Sequence, residues 1–119
     1  MNTCSLIGNL ATEVEVRDVG EGKKVASFLL AVNRGGRDAG ADFVWIAAWE
    51  RQGELCAEYL GKGQRVAIAG RLRSHTWEEE GRRRDRVEVV AHRVEFLSPP
   101  LRGDAGAEAE VMPFEAAPA

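Results

Sequence analysis

The chain has 119 residues, which is enough for one domain with its own hydrophobic core. Its two cysteines, Cys4 and Cys56, form no CxxC motif, and its two histidines, His75 and His92, lack the spacing of zinc ligands. No apolar stretch reaches the roughly 20 residues of a membrane helix, and the N-terminus lacks the pattern of a signal peptide. We therefore expect a soluble protein of a reducing, cytoplasmic compartment, with no metal, no cofactor and no membrane partner.

Charge is distributed unevenly along the chain. The net charge is −3, but residues 1–103 contain all 16 basic residues and 15 of the 19 acidic ones, whereas residues 104–119 contain four acids and no base. The end of the chain is also rich in Ala, Gly, Glu and Pro, a composition typical of disordered segments. The sequence thus predicts a folded domain, residues 1–100, and a disordered acidic tail, residues 101–119.

Alternating apolar residues predict five extended segments and one short helix. The segments are residues 3–19 (one long strand with a bend, or two short ones), 25–32, 42–50, 64–77 and 87–97. Between the third and fourth segments, Leu55 and Tyr59 lie at helical spacing and two glycines follow, which predicts a helix of about two turns. A charged hairpin tip around Gly81 precedes the last strand.

The same alternation assigns core-facing side chains in the second and fourth strands: Ala26, Phe28, Leu30, Val32, Val66, Ile68, Gly70 and Leu72. Five strands with one helix between strands three and four match the order of an OB-fold barrel, an all-β architecture. The alternatives are an SH3-like barrel, which does not need the helix, and a small α+β sandwich.

Three of the eight aromatic residues stand in the stretch DFVWIAAW, residues 42–49. In a strand, one face carries Phe43, Trp45, Ala47 and Trp49, and the other carries Val44, Ile46 and Ala48. The aliphatic face fits the core. The aromatic face is either a second packed surface or a surface on which nucleic-acid bases stack.

The fourth strand favours the base-stacking interpretation. If it belongs to the same sheet surface, it extends the aromatic row with Arg71, Arg73, His75 and Trp77. A packed face rarely alternates rings with cations, because each unpaired buried charge is strongly unfavourable. A groove that binds a polyanion needs this mixture.

Other basic residues each allow two interpretations. Arg34 and Arg37 border a glycine-rich loop that either folds over a strand or stays solvated. Three arginines at residues 82–84 follow three glutamates at residues 78–80, so they either pair with those carboxylates or form a basic finger. No spacing typical of catalytic residues is present, and we do not expect an enzyme.

Several separated motifs resemble the bacterial single-stranded DNA-binding proteins. The stretch LIGNLATEVEVR resembles the opening strand of that family, DFVWIAAWERQGELCAEYLGKGQRVAIAGRLRSHTW resembles its centre, and VEVVAHRVEFL resembles its last strand. The motifs occur in the family's order and cover about residues 2–98. The resemblance implies an OB-fold domain that binds single-stranded DNA and assembles as a homotetramer.

The resemblance also implies roles for individual residues. Three fall where the base-stacking aromatics of the family lie: Phe43, Trp49 and Trp77. Four fall at positions that are commonly basic and face DNA: Arg17, Arg51, Arg73 and His75. Trp45 stands where a basic residue is common, and we expect it to add a stacking surface.

The tail departs from the family pattern. The family usually ends in an acidic tip that finishes Pro-Phe and contacts replication and repair proteins. Here Pro113 and Phe114 are followed by five more residues. The motif therefore either recruits partners from an internal position or is a remnant.

Together these features predict a non-enzymatic, sequence-independent binder that protects single-stranded DNA in replication, recombination and repair at the bacterial nucleoid. The alternatives are an OB-fold accessory protein of the primosome, an RNA-binding OB domain, and a protein-interaction module that uses the aromatic face.

Overall fold

The computed structural model describes residues 1–36 and 40–98, which form six strands and one helix. The elements are β1 (Cys4–Leu10), β2 (Glu15–Asp18), β3 (Lys24–Asn33), β4 (Ala41–Trp49), α1 (Glu50–Tyr59), β5 (Arg65–Glu79) and β6 (Arg82–Phe96). The first predicted segment is two short strands, so the count is six instead of five and α1 follows the fourth strand. The predicted tail, residues 101–119, lies outside the described residues.

The strands form one sheet that closes on itself. Their order is β1-β5-β6-β4-β3-β2, and β1 also pairs with β3 at Asn9–Ala31 and Leu10–Leu30. Five strands therefore form a ring, and β2 continues the sheet beyond β3. β4 and β6 run parallel, whereas the other pairs are antiparallel. This order, with α1 between β4 and β5, confirms the predicted all-β fold of the OB type.

The core lies inside the ring, and α1 packs mainly on β3 and β4. The helix buries Leu55, Cys56 and Tyr59, as its spacing predicted. The core-facing assignments are correct for seven of the eight strand residues, which are buried or, for Val32, packed against the core: Ala26, Phe28, Leu30, Val32, Val66, Ile68 and Gly70. Within the described ranges, no helix has the length and apolar character needed to cross a membrane.

Leu72 is the exception, because its side chain is 47% exposed. The pairing of β1 with β5 ends where Cys4 lies opposite Gly70, but β5 and β6 continue past that point as a hairpin, which β4 flanks only at Glu88, Val89 and Val90 of its base. Among residues 1–36 and 40–98, no further strand covers Leu72, so its side chain is exposed although it lies on the inward-facing side of β5. We call this hairpin the arm; it comprises residues 71–79 of β5 and residues 82–90 of β6.

Two glycines shape the arm. At its tip, Glu80 and Gly81 have φ angles of 53° and 78°, which correspond to the two-residue turn that suits the twist of a hairpin. At its base, the register of β5 and β6 shifts between Ala69 and Gly70. A Cβ atom on Gly70 would clash with the carbonyl oxygen of Val90, so the strands approach each other this closely only because Gly70 has no side chain.

We expect Gly70→Ala to lower the free energy of unfolding by about 1–3 kcal/mol, because the backbone of one strand must move away. Chemical denaturation followed by circular dichroism measures the change. The control Ser74→Ala, at an exposed position of the same strand, should change stability by less than about 0.5 kcal/mol. Equal stability of Gly70→Ala and the wild-type protein would contradict the close approach.

Cys56 makes folding sensitive to high pH. Its thiol is buried, and this burial raises its pKa from 9.0 to about 12. The unfolded chain therefore ionises Cys56 at a lower pH than the folded chain does. The protonated Cys56 thiol therefore makes its full contribution to the free energy of unfolding below pH 9, and this contribution is lost as the pH rises toward 12.

Between pH 8 and pH 10, the wild-type protein should lose about 1 kcal/mol more unfolding free energy than Cys56→Ala, since that variant cannot ionise at this position. Urea denaturation of both proteins at the two pH values gives this difference. Identical pH dependence of the two proteins would show that Cys56 titrates normally in the folded state.

Candidate nucleic-acid interface

The aromatic side chains of β4 lie on the outside of the ring. Ile46 and Ala48 are buried in the core, whereas Phe43 is 61% exposed and Trp45 and Trp49 are half-buried. The strand ends at Trp49, because the next residue has a left-handed φ of 52° and begins α1. The aromatic face of β4 is therefore open to solvent and is not a second closed core within the described chain.

β6 lies between β4 and β5 in the sheet and contributes two residues to the same face. Glu88 lies opposite Trp45 of β4 and opposite Arg73 of β5, and Arg86 lies opposite His75. Residues directly opposite each other point to the same side of a sheet. Arg86 and Glu88 therefore separate the tryptophans of β4 from the basic residues of β5.

Rings and guanidinium groups alternate across this face. The Cζ atom of Arg86 lies 4.1 Å from the ring centroid of Trp45 and 5.6 Å from that of Trp77. The Cζ atom of Arg73 lies 5.6 Å from the ring centroid of Trp49. These distances fall within the range of cation–π attraction, so each tryptophan has a cationic neighbour.

His75 completes the alternation. Its imidazole stacks on Trp77, with ring centroids 5.2 Å apart and planes inclined by 26°. We call the whole surface the platform, and it consists of Phe43, Trp45, Trp49, Arg73, His75, Trp77, Arg86 and Glu88. A pocket on this surface is also lined by Arg17 of β2.

Glu88 is a buried carboxylate at the centre of the platform, only 3% exposed. Arg73 Nη2 donates a hydrogen bond of 2.6 Å to Glu88 Oε2, and Arg86 Nε lies 3.6 Å from Glu88 Oε1. An isolated charge at such a buried position is strongly unfavourable, so the carboxylate depends on these partners. The two arginines are in turn held in place by Glu88.

The remaining candidate residues differ in their surroundings. Arg71 and Arg51 are exposed, and neither forms an ion pair with any residue in the described ranges. Arg34 pairs with Asp42 at 3.1 Å. Arg37 lies outside the described residues, as do Pro113 and Phe114 of the predicted tail.

Sequence reasoning missed Arg86 and Glu88. It assigned Arg86 to a loop at the hairpin tip, whereas β6 already begins at Arg82. Continuing the alternation of the last strand back to the tip would have placed Arg84, Arg86 and Glu88 on one face. In residues 1–36 and 40–98, no group of three or more His, Cys, Asp or Glu side chains could hold a metal ion.

Comparison with known proteins identifies the family. The family model described as the single-strand binding protein family matches residues 1–97. The chain belongs to this family. The resemblance found in the sequence motifs is thus confirmed, and the whole platform lies within the matched residues.

Three relatives illustrate the similarity of this chain to other single-strand binding proteins. It is 39% identical over 114 residues to the single-stranded DNA-binding protein of Treponema pallidum, covering 91% of this chain and 64% of that protein. It is 38% identical over 113 residues to single-stranded DNA-binding protein A of Bacillus subtilis, covering 89% and 64%. It is 39% identical over 102 residues to single-stranded DNA-binding protein 3 of Clostridium acetobutylicum, covering 82% and 71%. The first two relatives extend well beyond the part that this chain matches.

We expect Arg73→Met to lower the free energy of unfolding by about 3 kcal/mol, because it leaves the buried Glu88 carboxylate without its hydrogen-bond donor. Denaturation in urea measures the change. Arg84→Met is the matched control, since Arg84 pairs with Glu79 at 3.5 Å on an exposed part of the arm. The free energy of unfolding of that variant should fall by less than about 1 kcal/mol. Equal decreases in both variants would contradict the dependence of the buried Glu88 carboxylate on Arg73.

Proposed function

We propose that this chain binds single-stranded DNA without sequence preference and without catalysis, and that it protects exposed strands during replication, recombination and repair. The observation that carries the proposal is the open platform, on which four aromatic rings from β4 and the arm face solvent among cationic side chains. Membership of the single-strand binding protein family supports the same function.

Stacking explains why such a surface tolerates any sequence. Every base has a π face, and stacking on an aromatic side chain contributes about 1–3 kcal/mol per base. Phe43 lies near the start of β4 and Trp49 at its end, while Trp77 lies on the arm, so the rings are spread over two strands. Successive bases of one strand can therefore contact successive rings.

Cations around the platform supply the second part of the affinity. Arg71 and Arg51 are exposed and without ion pairs in the described part of the chain, so their charges are available to phosphates. Each phosphate contact releases counterions, which lowers the slope of log affinity against log salt by about 0.7. Arg17 adds a further cation at the pocket, and Arg34 adds another beside the glycine-rich loop. Arg37, which lies outside the described residues, remains a candidate DNA-binding residue from the sequence alone.

The chain acts as a homotetramer in this proposal. β1 pairs with β5 along residues Cys4 to Asn9, but its described ladder with β3 includes only Asn9 and Leu10. The earlier part of β1 therefore has an edge at which a second copy can add a strand. Contacts with replication and repair proteins belong to the tail around Pro113 and Phe114.

Oligo-dT should quench the intrinsic tryptophan fluorescence, because all three tryptophans of the chain lie on the platform. The titration is run at two salt concentrations, and the affinity should be lower at the higher salt. Absence of quenching at low salt would reject the function. Tighter binding of oligo-rU of equal length would make RNA the ligand instead.

Single substitutions of the rings should weaken binding of oligo-dT without unfolding the protein. For Phe43→Ala, Trp49→Ala and Trp77→Ala, the loss of one stacked base corresponds to about a 5- to 150-fold higher Kd. The control is Val87→Ala, which removes an exposed apolar side chain from the opposite face of the arm. Fluorescence anisotropy of labelled oligo-dT gives the Kd. An equal increase of the Kd in Val87→Ala would show that binding does not depend specifically on the platform.

A further inference from the structure

Two arginines of the platform, Arg73 and Arg86, already contact the Glu88 carboxylate in the free protein. We propose that Glu88 holds Arg86 as a spacer between Trp45 and Trp77 and holds Arg73 against Trp49, so that both guanidinium groups order the stacking surface and do not contact phosphates. This inference rests on the proposed function, because it concerns how the same surface receives bases. It assigns Glu88 and Arg86 as positioning residues.

The position of Arg86 supports the role of a spacer. It projects from the middle strand of three, with Trp45 on one neighbour and Trp77 on the other, and its guanidinium lies within cation–π distance of both rings. A planar guanidinium within cation–π distance of two indoles keeps the two rings apart, which leaves their outer faces free to accept a base. His75, stacked on Trp77, extends the series by one more ring.

Burial limits what these arginines can reach. The Nε atoms of Arg73 and Arg86 are both shielded from solvent and have no hydrogen-bond partner. A phosphate at the rim of a groove cannot use these two Nε donors, which leaves only the Nη groups of two partly buried side chains. Arg73 also donates its Nη2 hydrogen bond to Glu88 Oε2 at 2.6 Å. Contact of a phosphate with Arg73 Nη2 would therefore compete with a charge-assisted hydrogen bond to a buried carboxylate.

The charge balance of Arg73, Arg86 and Glu88 supports the same inference. Glu88 cancels one of the two positive charges, so the three side chains together attract a polyanion less than Arg73 and Arg86 would alone. If these arginines served only to bind phosphates, a buried carboxylate between them would oppose the function. The same carboxylate is useful if its role is to hold both guanidinium groups against the tryptophan rings. Phosphates are then left to exposed, unpaired cations such as Arg71.

The salt dependence of oligo-dT binding separates a spacer from a phosphate ligand. Arg86→Gln should raise Kd at least about 3-fold, while the slope of log affinity against log salt stays that of the wild-type protein, because no phosphate contact is lost. Arg71→Gln, the comparison, should reduce the magnitude of that slope by about 0.7. A similar reduction of the slope in Arg86→Gln would overturn the inference, and so would an unchanged Kd.

Arg86→Lys tests whether charge alone is sufficient. Lysine keeps the positive charge but lacks the planar group that fits between two indoles. Its Kd should therefore rise about as much as that of Arg86→Gln. Binding as tight as that of the wild-type protein would show that Arg86 acts as a point charge, which contradicts the role of a spacer.

A third measurement needs no DNA. Glu88→Gln should increase acrylamide quenching of tryptophan fluorescence in the free protein, because the released guanidinium groups no longer cover the rings. Glu95→Gln is the matched control: Glu95 also lies on β6 and accepts from Arg93 at 2.8 Å, but away from the platform. Equal quenching in Glu88→Gln and the wild-type protein would overturn this role of Glu88. If the wild-type protein failed to bind oligo-dT, the proposed function would fall, and this measurement would still decide the inference.

Discussion

The parallel pairing of β4 with β6 is the constraint on which the platform depends. It places β6 between β4 and the arm strand β5, so that outward side chains of three strands meet on one surface. Glu88 lies at the centre of this surface and is the one charged residue that is buried within the described ranges. Its contacts with Arg73 and Arg86 connect the strands through side chains as well as through the backbone.

The same arrangement resolves an apparent conflict in the sequence. A net charge of −3 argues against a ligand that is itself strongly negative. The acids are not spread evenly over the molecule, however, since several of those on the arm are paired with arginines, as in Glu79 with Arg84. The surface that we propose for binding combines open rings with local cations, and this local composition is independent of the total charge.

The spacing of apolar residues predicted which residues form strands or the helix and which side of a strand faces the core. The alternation of β4 and β3 identified both the core side and the aromatic side, and the helical spacing of Leu55 and Tyr59 identified α1. Leu72 shows the limit, because it lies on the predicted side of β5 but no strand of the described part of the chain lies over it once β1 has ended at Cys4. Burial depends on what the rest of the fold places above a side chain, and a single strand carries no information about that.

Arg86 and Glu88 were missed for a related reason. Their importance comes from the contact of β6 with β4, two strands separated by the helix and by β5 along the chain. A single sequence contains no local signal for such a non-local parallel pair. The basic residues of β5 were found only because they alternate within one strand with a tryptophan. The candidate residues of each single strand were therefore largely predictable, whereas the pairing of the strands that brings them together was not.

Photochemical cross-linking of the full chain to oligonucleotides that contain 5-iodouracil, followed by mass spectrometry of the peptides, tests most directly whether bases stack on the platform. The account predicts cross-links at Phe43, Trp45, Trp49 or Trp77, on β4 and the arm. Cross-links confined to the opposite side of the ring, for example to the exposed Ile7 of β1, would contradict it.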